Sequence, residues 1–165
     1  MQGGNTMKHT TLALLALLAV CGTLLAFNRE DIIKIKNGEK DLKRAVLDWA
    51  KLDGYTIIGA DLQEADFQYA SCVAANFSAS RMMNADLTHA NFSRADLTGV
   101  TLTSARLVSI DLRDAILHSA DLRGANLSGA KLTNADFLNA HVSSRFITFI
   151  SNQKVRNFHT IQWKF

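Results

Sequence analysis

From Leu42 to Val142 every fifth residue is apolar. The series runs Leu42, Leu47, Leu52, Ile57, Leu62, Phe67, Cys72, Phe77, Met82, Leu87 and Phe92. It continues with Leu97, Leu102, Leu107, Leu112, Leu117, Leu122, Leu127, Leu132, Phe137 and Val142. Thirteen of these 21 positions are Leu and four are Phe. Two residues before each lies a second column, which is Ala at 16 of 21 positions; its exceptions are Lys40, Tyr55, Ser80, Val100 and Ile110. No standard element explains a period of five. Five steps of an α-helix turn the chain by about 500°, so successive Leu positions miss one another by about 140°. Five steps of a strand put the side chain on the opposite face.

The period makes sense only if the chain turns a corner once per repeat. Leu and Ala, two apart, then share the inward face of a very short strand. A turn of about 90° closes a coil after about four repeats, and stacked coils pair backbone with backbone about 4.8 Å apart. The 21 repeats predict about five coils in a rod roughly 25 Å long. Leu or Phe fills the middle of each side, and Ala fits where the corner leaves no room. Asp or Asn between the columns, as in Ala60-Asp61-Leu62 and Ala125-Asn126-Leu127, is placed to bond the turn backbone.

This A(D/N)LXX pattern resembles the pentapeptide repeat family over about 105 of the 165 residues. The resemblance implies an all-β fold, a right-handed quadrilateral β-helix. It leaves function open, because the family hosts several.

A stacked coil needs its ends covered. Residues 28–39 read as an N-terminal helical cap: Asn28 as N-cap, Glu30 and Asp31 in the first turn, Gly38 at the exit. After residues 40–144, the repeat stops. Arg145 to Ile150 is apolar and β-prone, and residues 145–165 read as a C-terminal cap or a homodimerisation tail. Residues 1–27 read as a targeting segment. Lys8 precedes an uncharged run from Thr10 to Asn28 that includes LALLALLAV. A basic flank before an apolar run is the pattern of a secretory signal. The run also just reaches the length of a membrane anchor. The residues before Cys21 resemble a bacterial lipoprotein box, with Val20 departing from the preferred small residue. The expected location is therefore exported, periplasmic or extracellular, with membrane contact only through this segment.

Composition narrows the function. Two cysteines exclude a disulfide framework, and the formal charge of +3 gives no ground for a nucleic-acid partner. No phosphate-binding glycine loop, histidine pair at metal-ligand spacing or nucleophile–histidine set occurs, so the sequence predicts no enzyme, cofactor or metal. Stacking coil upon coil places Trp49, Tyr69 and His89 in one outer column, the best candidate contact for a protein partner in the cell envelope. The expected function is an exported, non-catalytic interaction scaffold. The alternative is a duplex-DNA mimic that binds DNA gyrase, as in quinolone-resistance members of the family. That reading demands a strongly acidic surface, whereas residues 40–144 carry ten basic and twelve acidic groups. Export has a direct check: N-terminal sequencing of protein from cells should find a start between about Cys21 and Asn28. An intact cytoplasmic product beginning at Met1 or Met7 overturns it.

Overall fold

The computed structural model describes residues 29–164. The targeting segment, the Asn28 cap, Cys21 and Phe165 lie outside the described residues. Helix α1 spans Arg29–Lys36 with Glu30 and Asp31 in its first turn. It ends in a Schellman motif: Gly38, at φ 74, donates its N–H to Ile35 O at 3.0 Å, and Glu39 donates to Lys34 O at 3.0 Å.

Beyond α1 the chain winds in coils of four pentapeptides, each coil in register with the next. Single-residue parallel bridges join Asp41 to Asp61, Asp61 to Arg81, Arg81 to Thr101 and Thr101 to Asp121, and the three other sides carry equivalent bridges. Only near the C-terminal end do the sides lengthen into strands: β1 (Asp121–Leu122), β2 (His141–Ser143) and β3 (Gln162–Lys164), paired in parallel in the order β1-β2-β3.

Every corner uses the same turn. Each position whose number ends in 4 or 9, from Arg44 to Asn139, has positive φ. In all but one of these turns the N–H of the following residue donates back to the carbonyl of the central apolar residue, at 2.9–3.3 Å. A positive φ confined to the third residue is the signature of a type II turn.

The backbone donors of a repeat can be followed one by one. In the repeat from Asp61 to Ala65, Asp61 donates to Lys40 O of the coil before (2.7 Å), and Leu62 donates to Arg81 O of the coil after (2.7 Å). Gln63 donates to the Asp61 side chain (3.4 Å), Glu64 to Met83 O (2.9 Å) and Ala65 to Leu62 O (3.2 Å). Eleven times in all, counting this one, a backbone N–H donates to the Oδ1 of the Asp or Asn two residues before it. That is the role expected of the acids between the columns. Ser71 has no such oxygen, and Asp53 of the coil before replaces it, accepting from Val73 N at 2.8 Å and from Ser71 Oγ at 2.6 Å.

The core is the two apolar columns. From Leu42 to Val142 every central residue is buried, and with them the Ala column. Phe67, Phe77 and Phe92 meet with ring centroids 5.3–5.8 Å apart. Cys72 shares a coil with two of them, so one undersized side chain offsets two oversized ones at constant core volume. Ser80 departs from Ala for a visible reason. Its hydroxyl inserts into the turn one coil earlier, accepting from Ala60 N (3.1 Å) and donating to Ile57 O (2.8 Å). This is the one turn whose direct backbone bond is replaced.

Both ends are closed by bonds that a further coil would otherwise make. The buried Asp31 carboxylate of α1 accepts from Val46 N at 3.0 Å and from Lys34 Nζ at 3.0 Å. The equivalent residue one coil later, Asp66, donates to Ala45 O; Val46 has no earlier coil, so a side chain serves instead. At the far end the β-prone reading of Arg145 to Ile150 is corrected. A 3-10 turn over Ser144–Phe146 leads into helix α2, Ile147–Ser151. A helix satisfies much of its backbone internally where no strand lies alongside, and this overrides β propensity. It also drops Ile150 onto the end of the core. Arg145 donates to the carbonyls of Gly124 (3.1 Å) and Ala125 (2.9 Å). Residues 152–164 then return to the last coil, bridging Asp136 at Arg156 and pairing β2 through β3.

Substituting Asp31 tests the N-terminal closure. Asp31→Ala leaves Val46 N–H without its acceptor and should lower stability by about 1–3 kcal/mol. Asp31→Asn keeps an oxygen there and should lose less. Equal losses in chemical denaturation contradict this role.

Candidate interaction surface

The corner residues project from the rod, and the register aligns them. Trp49, Tyr69 and His89 all sit at third turn positions with φ 57°, 59° and 60°. Positive φ disfavours bulky side chains, so the repeat itself does not ask for aromatics here. Their rings stack. Trp49 and Tyr69 lie 4.5 Å apart with planes 12° from parallel, and Tyr69 and His89 lie 5.1 Å apart at 17°. These spacings match the rise of the coils. Trp49 remains 60% and Tyr69 44% exposed. Facing rings consume one another's faces, so the ladder offers mainly ring edges, with their N–H and O–H groups, to a partner. The column ends in Ser109 and Gly129. The ladder is therefore three rings tall, as the sequence places it.

Many of the charges along the coils are paired. Arg44 Nε meets Glu64 at 2.8 Å across one coil step. Asp61 lies between Lys43 (3.4 Å) and Arg81 (3.3 Å), and Asp86 meets Arg106 at 3.3 Å. Arg113 and Arg123 fold back onto Asp111 and Asp121, each at 2.6 Å. Asp136 gathers His118 (3.1 Å), Arg156 (3.6 Å) and Asn157 (2.6 Å), which ties the C-terminal return to the last coil.

The pairings set protonation. Burial pushes the Asp61, Asp111 and Asp136 carboxyls up, but hydrogen bonds from Gln63 and Lys43, from Arg113, and from Asn157 and His118 hold all three below the usual carboxylate value. At Asp121 the Arg123 hydrogen bond is the largest cause and acts in the same lowering direction. Burial pushes the Cys72 thiol well up, which leaves it an inert core side chain. Among the described residues no group of three or more His, Cys, Asp and Glu is placed to hold a metal ion.

One feature escaped sequence reading: a groove of about 620 Å³ between α1 and the first coil. Ile32, Ile33, Ala50 and Tyr55 line it with Arg29, Lys36 and Lys51. Its signal was present in Ile32, Ile33 and Ile35, three large apolar residues that so short a helix cannot turn to one side. Ile35 is buried, and Ile33 is left 54% exposed. No helix among the described residues is long and apolar enough to cross a membrane.

Four-sided coils, type II corners and an Ala/Leu core define a class of protein, and comparison with known families agrees. The Pentapeptide repeats family matches in eight copies over residues 41–82, 80–118 and 110–143. The chain belongs to the pentapeptide repeat family, whose solved members imply a right-handed β-helix. Among solved structures, a trypsin-treated form of QnrB1, a plasmid-mediated fluoroquinolone resistance protein, aligns with TM-score 0.53 at 16% identity, covering 75% of this chain and 64% of that one. A pentapeptide repeat protein from the Arabidopsis thaliana thylakoid lumen aligns at 27% identity over 67% of this chain and 73% of that one, with TM-score 0.42. Rfr23 of the cyanobacterium Cyanothece 51142 aligns at 14% identity over 82% of this chain and 99% of its own, with TM-score 0.46. No curated protein matches the chain.

The carboxylates yield a pH test. A carboxyl held low in the folded state contributes stability that is full above the unfolded Asp value of about 3.9 and is lost as pH falls through the folded values. Thermal melts should therefore hold level from neutral pH down to about 5 and drop below about 4. Asp121→Asn together with Asp136→Asn should flatten that drop. An unchanged acid limb refutes the assignment.

Proposed function

We propose that this pentapeptide repeat chain is an exported, non-catalytic scaffold. It forms a rod of about five coils, with α1 as the lid of its first coil. Residues 1–27 direct export, and a protein of the cell envelope is held along Trp49, Tyr69 and His89. The C-terminal residues 145–165 close the rod and offer a second surface for self-association.

The observation that carries this reading is the stacked ladder. It places exposed aromatic rings at three corner positions where the fold itself favours small or flexible residues. Charge pairing around it supports protein contact over duplex mimicry. Acidic groups matched by Arg and Lys along the coils do not make the continuous negative surface that a DNA mimic needs. The likeness to QnrB1, at 16% identity, is one of fold.

Replacing Trp49 and Tyr69 together with Ser should leave the coil folded by circular dichroism, because neither side chain is in the core. The same variant should lose cross-linked capture of its envelope partner, and the unchanged protein should not inhibit gyrase supercoiling. Full capture by a folded double variant moves the contact elsewhere. Loss of fold makes the ladder a structural device.

A further inference from the structure

The N-terminal end of the rod differs from the rest in apolar exposure and in charge. Six large hydrophobic residues are exposed among those described: Ile33, Val46, Trp49, Ile58, Tyr69 and Ile147. Four of them, Ile33, Val46, Trp49 and Ile58, belong to α1 and the first coil. The groove opens at the same end. Its walls are Ile32, Ile33, Ala50 and Tyr55, its charged lining is Arg29, Lys36 and Lys51, and no acid lines it. Residues 29–51 carry seven cations and five anions, and one anion, Asp31, is buried against Lys34 and Val46 N. Residues 52–144 carry six cations and ten anions. The C-terminal residues 145–165 are basic too, but among the described residues there Ile147 is the one large hydrophobic exposed.

We propose that this end is a docking surface for an anionic bilayer, with a lipid acyl chain against Ile32, Ile33 and Tyr55 and its phosphate among Arg29, Lys36 and Lys51. Three observations select a membrane. An apolar floor ringed by cations matches an anionic headgroup above its acyl chain. A Trp and three aliphatic residues around one end suit the headgroup layer, where amphipathic rings concentrate. The groove also begins at Arg29, directly after the uncharged run Thr10–Asn28, so where that run is kept as an anchor its bilayer already lies at this end. The long axis then stands away from the membrane, with the ladder rising from the lipid. The inference does not rest on the protein partner proposed above and survives its failure.

The test uses the full chain with Trp163→Phe, so that Trp49 is the sole indole. It is mixed with vesicles of phosphatidylcholine alone or with phosphatidylglycerol, each with brominated acyl chains. Trp49 emission should be quenched more on the anionic vesicles. Lys36→Gln and Lys51→Gln should each cut that preference roughly fivefold, while Lys164→Gln at the far end should not. In the unsubstituted protein, amine acylation read by mass spectrometry should show Lys36 and Lys51 protected on anionic vesicles and open on neutral ones. That second readout holds if Trp163→Phe disturbs the tail. Equal quenching and equal protection on both vesicles overturn the proposal, since the apolar run alone then sets proximity. Protection of both lysines before any vesicle is added overturns it as well, because the groove is then filled by the chain itself or a second copy.

Discussion

The structure depends on one corner. A chain that must change direction at every fifth position needs a turn that costs little and leaves no donor unpaired. The type II turn meets both demands when its third residue adopts positive φ. Twenty successive corners do so, and only five of them are glycine. For an L-residue the left-handed region costs roughly 1–2 kcal/mol, so the rod carries this strain at fifteen corners. The strain persists because the surroundings over-determine it: the corner N–H reaches the next coil or the C-terminal return, the turn closes on the central carbonyl, and at eleven of the twenty corners a preceding Asp or Asn fixes the residue between.

The buried columns follow from that corner. With the direction of the chain set, the side between two corners is too short for more than one large inward side chain and one small one. The core is then a stack of layers with one large side chain per side, filled by Leu and trimmed locally, as Cys72 is set beside Phe67 and Phe77. Ser80 shows how far the backbone accounting reaches: an inward hydroxyl is tolerated because it takes over both halves of a turn bond. Asp31 follows the same logic at the end of the stack, where a side chain stands in for a missing coil.

Most of this was legible in the sequence because a period of five fits no other backbone. The inward columns, the corner positions, the turn-bonding role of Asp and Asn, and the ladder of Trp49, Tyr69 and His89 all follow from counting. The ends were harder. Arg145 to Ile150 has strand composition yet folds as a 3-10 turn and a helix, because a segment outside the period answers to whatever surface it must cover. The bond from Asp31 to Val46 N reaches from the helix into the first coil, and no repeat reveals it. The groove beside α1 depends on how a short helix settles on a coil, and only the surplus of Ile in that helix hints at it.

The four-repeat register also sets the terms on which such a chain can change length. Losing one pentapeptide from the middle of the tract preserves every local rule: each Leu still falls inward and each corner still closes. Yet everything downstream is rotated by one face. A loss between Trp49 and Tyr69 takes the second ring off the first, and Asp61 no longer lies under Arg81 when the loss falls between them. Losing four pentapeptides shortens the rod by one layer and leaves each column in line. For this molecule the unit of folding is the pentapeptide, but the unit of heredity for anything written on its surface is the whole coil.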